Sequence, residues 1–301
     1  MPDGQPAIGN IDVKTIAVMG AGIMGRGIAY AAALGGYRTL LGDIQPAALH
    51  KAESELRANF SKAVELGKLS ATEADSAFQR IDYPATIADA VSNAELIIEA
   101  VPEEITAKIE IFDQVDKLSP AGAIIASNTS SLSITELASV TSRARKCVGM
   151  HFFNPVQKMK LLEIVRALET DDATIATAVE VGRRMGKETV IVRESPGFIT
   201  SRINAMIGNE AFYMLQEGIA TPADIDKALK LGLNHPMGPF ELVDLVGLDT
   251  RLSILEYLQK SLGEKYRPCP LLRQYVKAGR LGRKAGRGVY DYLDKTQKPR
   301  D

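Results

Sequence analysis

Cysteine is nearly absent: Cys147 and Cys269 are the only two among 301 residues, far apart and in no CxxC pattern. That argues against a disulfide framework or a cysteine-built zinc site and fits a reducing compartment. Charge of either sign is barely in excess, with 36 basic and 37 acidic residues and a formal net charge of −1. Such a balance leaves no electrostatic footprint for nucleic acid or for an anionic membrane surface. No apolar run approaches the roughly 18 residues of a membrane span. The opening stretch MPDGQPAIGN has neither a basic nor an apolar leader region, so no signal peptide is expected and the predicted location is cytoplasmic. Histidine is scarce as well, and its three instances, His50, His151 and His235, can be weighed one by one.

What is present is a regular alternation. Residues 1–13 read as a flexible N-terminal extension. From Lys14 onward, short apolar runs (KTIAVMG, YRTLLGD, AELIIEAV, AIIASN, CVGMHF, LLEIVRA, ETVIVRE) alternate with helical patterns. Buried strands separated by helices predict a doubly wound α/β domain of Rossmann type over 14–197. Pro196-Gly197 marks a change of texture. Beyond it the segments INAMIGNEAFYMLQEGI, TPADIDKALKLGL, ELVDLVGLDTRLSILEYLQKSL and PCPLLRQYVKAG read as amphipathic helices, which predicts a smaller all-α domain over 198–301. Thr221 before Pro222 is a good helix start.

Gly20-Ala21-Gly22-Ile23-Met24-Gly25 fits GxGxxG where a strand ends and a helix begins, and Asp43 closes the next strand 18 positions after Gly25. Each part has a physical task. Gly20 permits the tight turn, Gly22 admits a pyrophosphate to the backbone, and Gly25 lets helix and strand pack closely. The free N–H groups of the first helical turn, from Ile23 and Met24 onward, favour phosphate. Asp43 would accept from a ribose hydroxyl and repel a 2′-phosphate, so NAD is the expected cofactor. No metal is expected.

Two polar residues stand where core residues belong. His151 lies in CVGMHFF and Glu163 in LLEIV. A lone histidine on an apolar strand is more often a satisfied core residue, and a lone strand glutamate more often faces water. Together, at the ligand end of a nucleotide-binding sheet, they suggest one couple: an imidazole general base held by a carboxylate. Ser127 to Ser131 form a polar row at the end of another strand. On periodicity alone that row is a loop running into a helix cap at Ser131 or Ser133. His50 is expected on the surface of a helix and His235 in a turn.

These motifs, with EAVPE, ASNTSSLSITELA, GMHFFNPVQKMKLLEIV, PGF, DIDKALKLGLNHPMGPFELVDLVGLD and GRLGRKAGRGVYDY, resemble the L-3-hydroxyacyl-CoA dehydrogenase family, in order, from about residue 14 to 293. The bacterial 3-hydroxybutyryl-CoA dehydrogenase type is the nearest in pattern. The resemblance implies oxidation of the 3-hydroxyl of an acyl-CoA with NAD, or the reverse reduction, in a homodimer. It implies His151 as the catalytic histidine with Glu163 as its partner, and Ser130 against substrate and nicotinamide. Asn154 would help shape the site, with Glu103, Lys108 and Lys284 along the cofactor. The chain departs from the family at Ser201, which stands after Pro196-Gly197-Phe198 where an active-site asparagine is usual. The coenzyme-A contacts map less cleanly, with Lys62 and Lys68 as candidates. Two rivals stay open: a lysine-using two-domain dehydrogenase of the 3-hydroxyisobutyrate or 6-phosphogluconate type, and a non-catalytic NAD-binding relative.

Overall fold

The computed structural model describes residues 12–292, so nearly all of the expected extension over 1–13 lies outside the described residues. The chain divides into two compact units, one ending at Ser195 and the other beginning at Pro196. Among the described residues no helix is long and apolar enough to cross a membrane.

The first unit runs β1 (Thr15–Met19), α1 (Ile23–Leu34), β2 (Arg38–Gly42), α2 (Pro46–Glu65), α3 (Ala71–Phe78), β3 (Ile81–Asp82), α4 (Ile87–Val91), β4 (Leu96–Glu99), α5 (Ile105–Leu118), β5 (Ile124–Ser127), α6 (Ile134–Ala138), β6 (Cys147–Phe152), β7 (Leu161–Arg166), α7 (Asp172–Arg184) and β8 (Glu188–Arg193). One eight-stranded sheet results, in the order β3-β2-β1-β4-β5-β6-β7-β8. The order reverses between β1 and β4, the switch point at which a doubly wound sheet opens a ligand crevice beyond its carboxyl ends. Side chains alternate between two fully covered faces. Ile16, Val18, Leu41 and Ile98 pack into one apolar cluster; Ala17, Met19, Leu40 and Ile97 pack into the other. Burial on both faces explains why these strands are continuously apolar in sequence.

The fold class is as expected, with two local differences. β7 runs antiparallel to β6, because only residues 153–160 connect them and a parallel return needs a crossover of a dozen residues or more. β8, parallel to β7, is the sheet edge, and Val190 and Ile191 on it are exposed rather than buried.

The second unit contains α8 (Thr200–Gln216), α9 (Pro222–Gly232), α10 (Pro239–Val246), α11 (Leu248–Leu262) and α12 (Pro270–Lys277). Ala205, Phe212, Phe240, Leu255 and Leu272 belong to its core. Thr221 caps α9, accepting from the Asp224 N–H. The stretch read as one helix over ELVDLVGLDTRLSILEYLQKSL is two, broken at Gly247, whose φ of 106° no L-residue adopts comfortably. Two buried carboxylates hold this unit together. Asp226 accepts from the Phe240 and Glu241 N–H groups and the Tyr290 hydroxyl. Asp244 accepts from the Val289 and Tyr290 N–H groups and the Tyr292 hydroxyl.

Candidate active site

The glycine loop joins β1 to α1. Gly20 has a φ of 111°, and a Cβ there would come within 2.7 Å of the Ala100 carbonyl oxygen. A Cβ on Gly25 would lie 1.7 Å from the Gly20 carbonyl oxygen, so any side chain would push helix from strand. At Gly22, by contrast, an added Cβ meets no protein atom within 4 Å. The chain leaves space there, in front of a helix N-terminus whose cap supplies no side-chain hydrogen bond. This is the fit expected for a pyrophosphate and NAD.

The loop is fixed from both sides. Asp43 accepts from the Ala21 N–H at 2.8 Å and from the Gln45 N–H at 2.8 Å. The Arg26 guanidinium donates to the Ala21 carbonyl at 3.1 Å and pairs with Glu55 on α2. Asp43 therefore braces the turn in addition to its expected role toward ribose. Beside it opens a cavity of about 480 Å³, lined by Ile44, Pro46, Leu49, His50, Tyr83 and Ile87 among others. His50 is exposed on α2, as expected, yet it borders this cavity. The apolar lining suits a flat heterocycle such as adenine.

His151 and Glu163 are direct cross-strand partners on β6 and β7. Their side chains meet, with His151 Nδ1 2.6 Å from Glu163 Oε2. Glu163 is fully buried and His151 nearly so, while the Phe153 ring leans on the imidazole at 4.4 Å between centroids. A carboxylate this deep in an apolar strand would be costly without a partner. The hydrogen bond removes that objection and fixes the ring's orientation.

A second polar system crosses the carboxyl ends of β4 and β5. Glu99 and Lys108 are each 1% exposed at the side chain, with Lys108 Nζ 2.7 Å from Glu99 Oε1. The other Glu99 oxygen accepts from the Ser127 hydroxyl at 2.5 Å. Lys108 also reaches the Val101 carbonyl at 3.3 Å and Glu103 Oε2 at 3.3 Å. Those three acceptors match the three donors of an ammonium, so Lys108 is satisfied inside the protein. Glu103 in turn accepts from the Thr129 hydroxyl at 2.6 Å and from the Ser130 N–H and hydroxyl at 2.9 and 3.1 Å. Burial pushes the Glu99 carboxyl above the ordinary carboxylate range, against the pull of Lys108. Burial pushes Glu103 the same way, but the Lys108 charge and the Thr129 and Ser130 hydrogen bonds outweigh it and bring Glu103 below that range.

The remaining expected residues are dispersed. Asn154 is exposed in the connection after β6. The neighbouring carbonyls of Val156 and Met159 accept from the buried Lys187 ammonium. Lys62 and Lys68 are exposed at and beyond the end of α2, Lys62 pairing with Glu65 at 2.9 Å. No hydrogen bond joins them to His151 or to the Ser130 loop among the described residues. Ser201 lies in the first turn of α8 and Lys284 in a short turn where it pairs with Asp249 at 2.7 Å, both within the second unit. Ser133, rather than Ser131, caps α6. Ser127 and Thr129 belong to the polar row noted in the sequence, whereas Glu99 is not expected there, although it carries a signal: an acid ending an otherwise apolar strand, as unusual as Glu163.

A doubly wound sheet with a cradle for two phosphates, and an acid-braced histidine on a strand of the same sheet, define a nicotinamide-dependent dehydrogenase of the two-domain kind. Residues 15–195 match the NAD binding domain of 3-hydroxyacyl-CoA dehydrogenase, and residues 197–292 match its C-terminal domain. The chain belongs to the 3-hydroxyacyl-CoA dehydrogenase family. It is 47% identical to a probable 3-hydroxybutyryl-CoA dehydrogenase of Bacillus subtilis, over 95% of this chain and all of that one. It is 36% identical to the mitochondrial hydroxyacyl-coenzyme A dehydrogenase of Sus scrofa, over 93% and 91% of the two chains. The crystal structure of (S)-3-hydroxybutyryl-CoA dehydrogenase from Ralstonia eutropha superposes with a TM-score of 0.91 at 43% identity, covering 94% of this chain and all of that one.

Proposed function

We propose that His151 is the general base in the NAD-dependent oxidation of a short-chain (S)-3-hydroxyacyl-CoA to the 3-oxoacyl-CoA, and the general acid in the reverse reduction. Glu163 orients it. The carrying observation is the 2.6 Å bond between these two buried groups on adjacent strands. When bound, NAD would supply the acceptor for the hydride from C3 of the substrate. His151 takes the hydroxyl proton on the ring nitrogen not turned to Glu163, and Glu163 stabilises the imidazolium that forms. The Gly22 turn and the Ile23, Met24 and Gly25 amides hold the pyrophosphate, and Asp43 holds the adenosine ribose. Ser130, whose hydroxyl donates to Glu103, offers its oxygen as an acceptor to the substrate hydroxyl. Asn154 shapes the same end of the sheet.

Two observations favour this reading over a lysine-based one. Lys108 has its donors occupied, and Lys187 donates to two backbone carbonyls, so neither buried lysine is poised for proton transfer. The names of the relatives support a four-carbon substrate, with acetoacetyl-CoA reduced to 3-hydroxybutyryl-CoA. Family resemblance also supports a homodimer, readable by sedimentation, and a cytoplasmic location, readable by fractionation. The decisive test is the absorbance of NADH mixed with acetoacetyl-CoA. His151→Gln should lower turnover about a hundredfold or more while NADH still binds. Unchanged turnover in His151→Gln would remove the histidine from the chemistry. NADH binding without turnover by the unaltered protein would leave a non-catalytic relative.

A further inference from the structure

The chemistry above gives Glu99 no task, yet it is among the most enclosed charged groups in the first unit. It sits at the carboxyl end of β4 and accepts three hydrogen bonds. Its Oε1 accepts from Lys108 Nζ at 2.7 Å and from the Val101 N–H at 2.7 Å. Its Oε2 accepts from the Ser127 hydroxyl, whose oxygen accepts from the Thr129 N–H at 3.2 Å. Through Lys108 it is coupled to Glu103, and through Glu103 to both polar groups of Ser130. The cluster therefore contains two carboxylates and one ammonium, with the ammonium shared between them. Burial raises the Glu99 carboxyl against the pull of Lys108, Ser127 and Val101, so the cluster carries one net negative charge where the pH lies above the pKa of that carboxyl.

We propose that the buried Glu99–Lys108 pair sets the charge behind the Ser130 loop at one net negative, and so biases the site toward the oxidised dinucleotide over the reduced one. Glu99 is a positioning and charge-setting residue, not a catalytic one. The physical reason lies in the nicotinamide ring, which is cationic when oxidised and neutral when reduced. A fixed negative charge held in a low-dielectric wall stabilises the first and leaves the second almost unaffected. Without Glu99, Lys108 would fully neutralise Glu103, and the wall behind Ser130 would carry no net charge. This inference rests on the reading above that the Ser130 loop faces the nicotinamide.

Glu99→Gln is the direct probe because it is isosteric and keeps acceptors for Lys108 and Val101. The measurement is the pair of dissociation constants for NAD and NADH, from NADH fluorescence titration and from displacement by NAD, in mildly alkaline buffer. The ratio of the NAD constant to the NADH constant should rise about three- to tenfold in Glu99→Gln, as expected for one charge acting at about 10 Å through a partly screened medium. The double variant Glu99→Gln/Lys108→Met loses one charge of each sign and should return the ratio to that of the unaltered protein, which a purely structural role for the pair would not produce. Equal weakening of both dinucleotides, or no change in the ratio, overturns the proposal. If Glu99→Gln is not recovered folded, the double variant still decides: a ratio displaced from the unaltered protein's overturns it. The underlying reading is checked separately by turnover of acetoacetyl-CoA in the unaltered protein. Turnover with an unmoved ratio defeats the charge inference alone, and failure to bind either dinucleotide defeats both.

Discussion

Replacing Glu163 by glutamine changes one oxygen for one nitrogen and leaves the volume of a completely buried site almost untouched. The consequences are two. The first is electrostatic. When His151 takes a proton, the imidazolium stands beside a carboxylate whose Oε2 is 2.6 Å from Nδ1. With the charge centres about 4 Å apart and an effective dielectric of about 20, that attraction is about 4 kcal/mol. Each 1.36 kcal/mol is a factor of ten in rate, so full loss corresponds to about a thousandfold. The second is tautomeric. A glutamine that turns its NH₂ toward Nδ1 makes that nitrogen an acceptor and leaves the proton on the other, the wrong form for a base. The amide dipole returns part of the loss, so turnover should fall about 10²- to 10³-fold. The assay is NAD reduction with saturating 3-hydroxybutyryl-CoA, the direction in which His151 takes the proton, alongside the dissociation constant for NADH, which should move less than about twofold because uniform cofactor binding does not involve Glu163. A thermal melt checks that the fold persists. A fall in turnover below about threefold in folded protein would refute the idea that Glu163 stabilises the charged ring.

Ser201→Asn restores the amide that the family usually carries after the Pro-Gly-Phe turn. If the serine is a weakened contact, activity toward acetoacetyl-CoA should rise at least severalfold, and an unchanged or lower rate would show that serine serves here as it stands. Glu103 gives a pH prediction. Its folded carboxyl lies below the ordinary value because Lys108 and the Ser130 loop outweigh its burial. Above its unfolded pKa, about 4.3, folded and unfolded forms are both ionised and the stabilisation is complete. As pH falls through the folded pKa it is lost, since the unfolded chain takes up the proton first. Glu103→Gln should therefore flatten the decline of melting temperature with acidification below about pH 5, and a variant as acid-sensitive as the parent would contradict that.

Much of the frame was legible because its causes are local. A glycine pattern between an apolar run and a helical one constrains backbone geometry within six residues, and the fold class followed from strand–helix alternation. His151 and Glu163 stood out because each interrupts an apolar run. Their meeting was less accessible: 12 positions separate them, and only the antiparallel return of β7 puts them opposite one another. That return is encoded in the brevity of residues 153–160, a signal present but unread. The linkage of Glu99 to Lys108 and Ser127 was not legible because it joins the ends of two strands to a helix, brought together only by the β4–β5 pairing. The cavity beside Asp43 was invisible for a similar reason, since Tyr83 and Ile87 reach it from beyond α3. The break at Gly247 was hidden by apolar periodicity that continues across it.

The hairpin of β6 and β7 places a constraint on how this chain can vary. Side chains on a strand change sides at every step. One residue added or removed within Cys147–Phe152 or Leu161–Arg166 would turn either the imidazole or the carboxylate to the opposite side of the sheet. The same insertion in the connection over 153–160 leaves the two strands in step. A change of length is thus accommodated in the segment bearing Asn154, while the facing of His151 and Glu163 is a matter of parity.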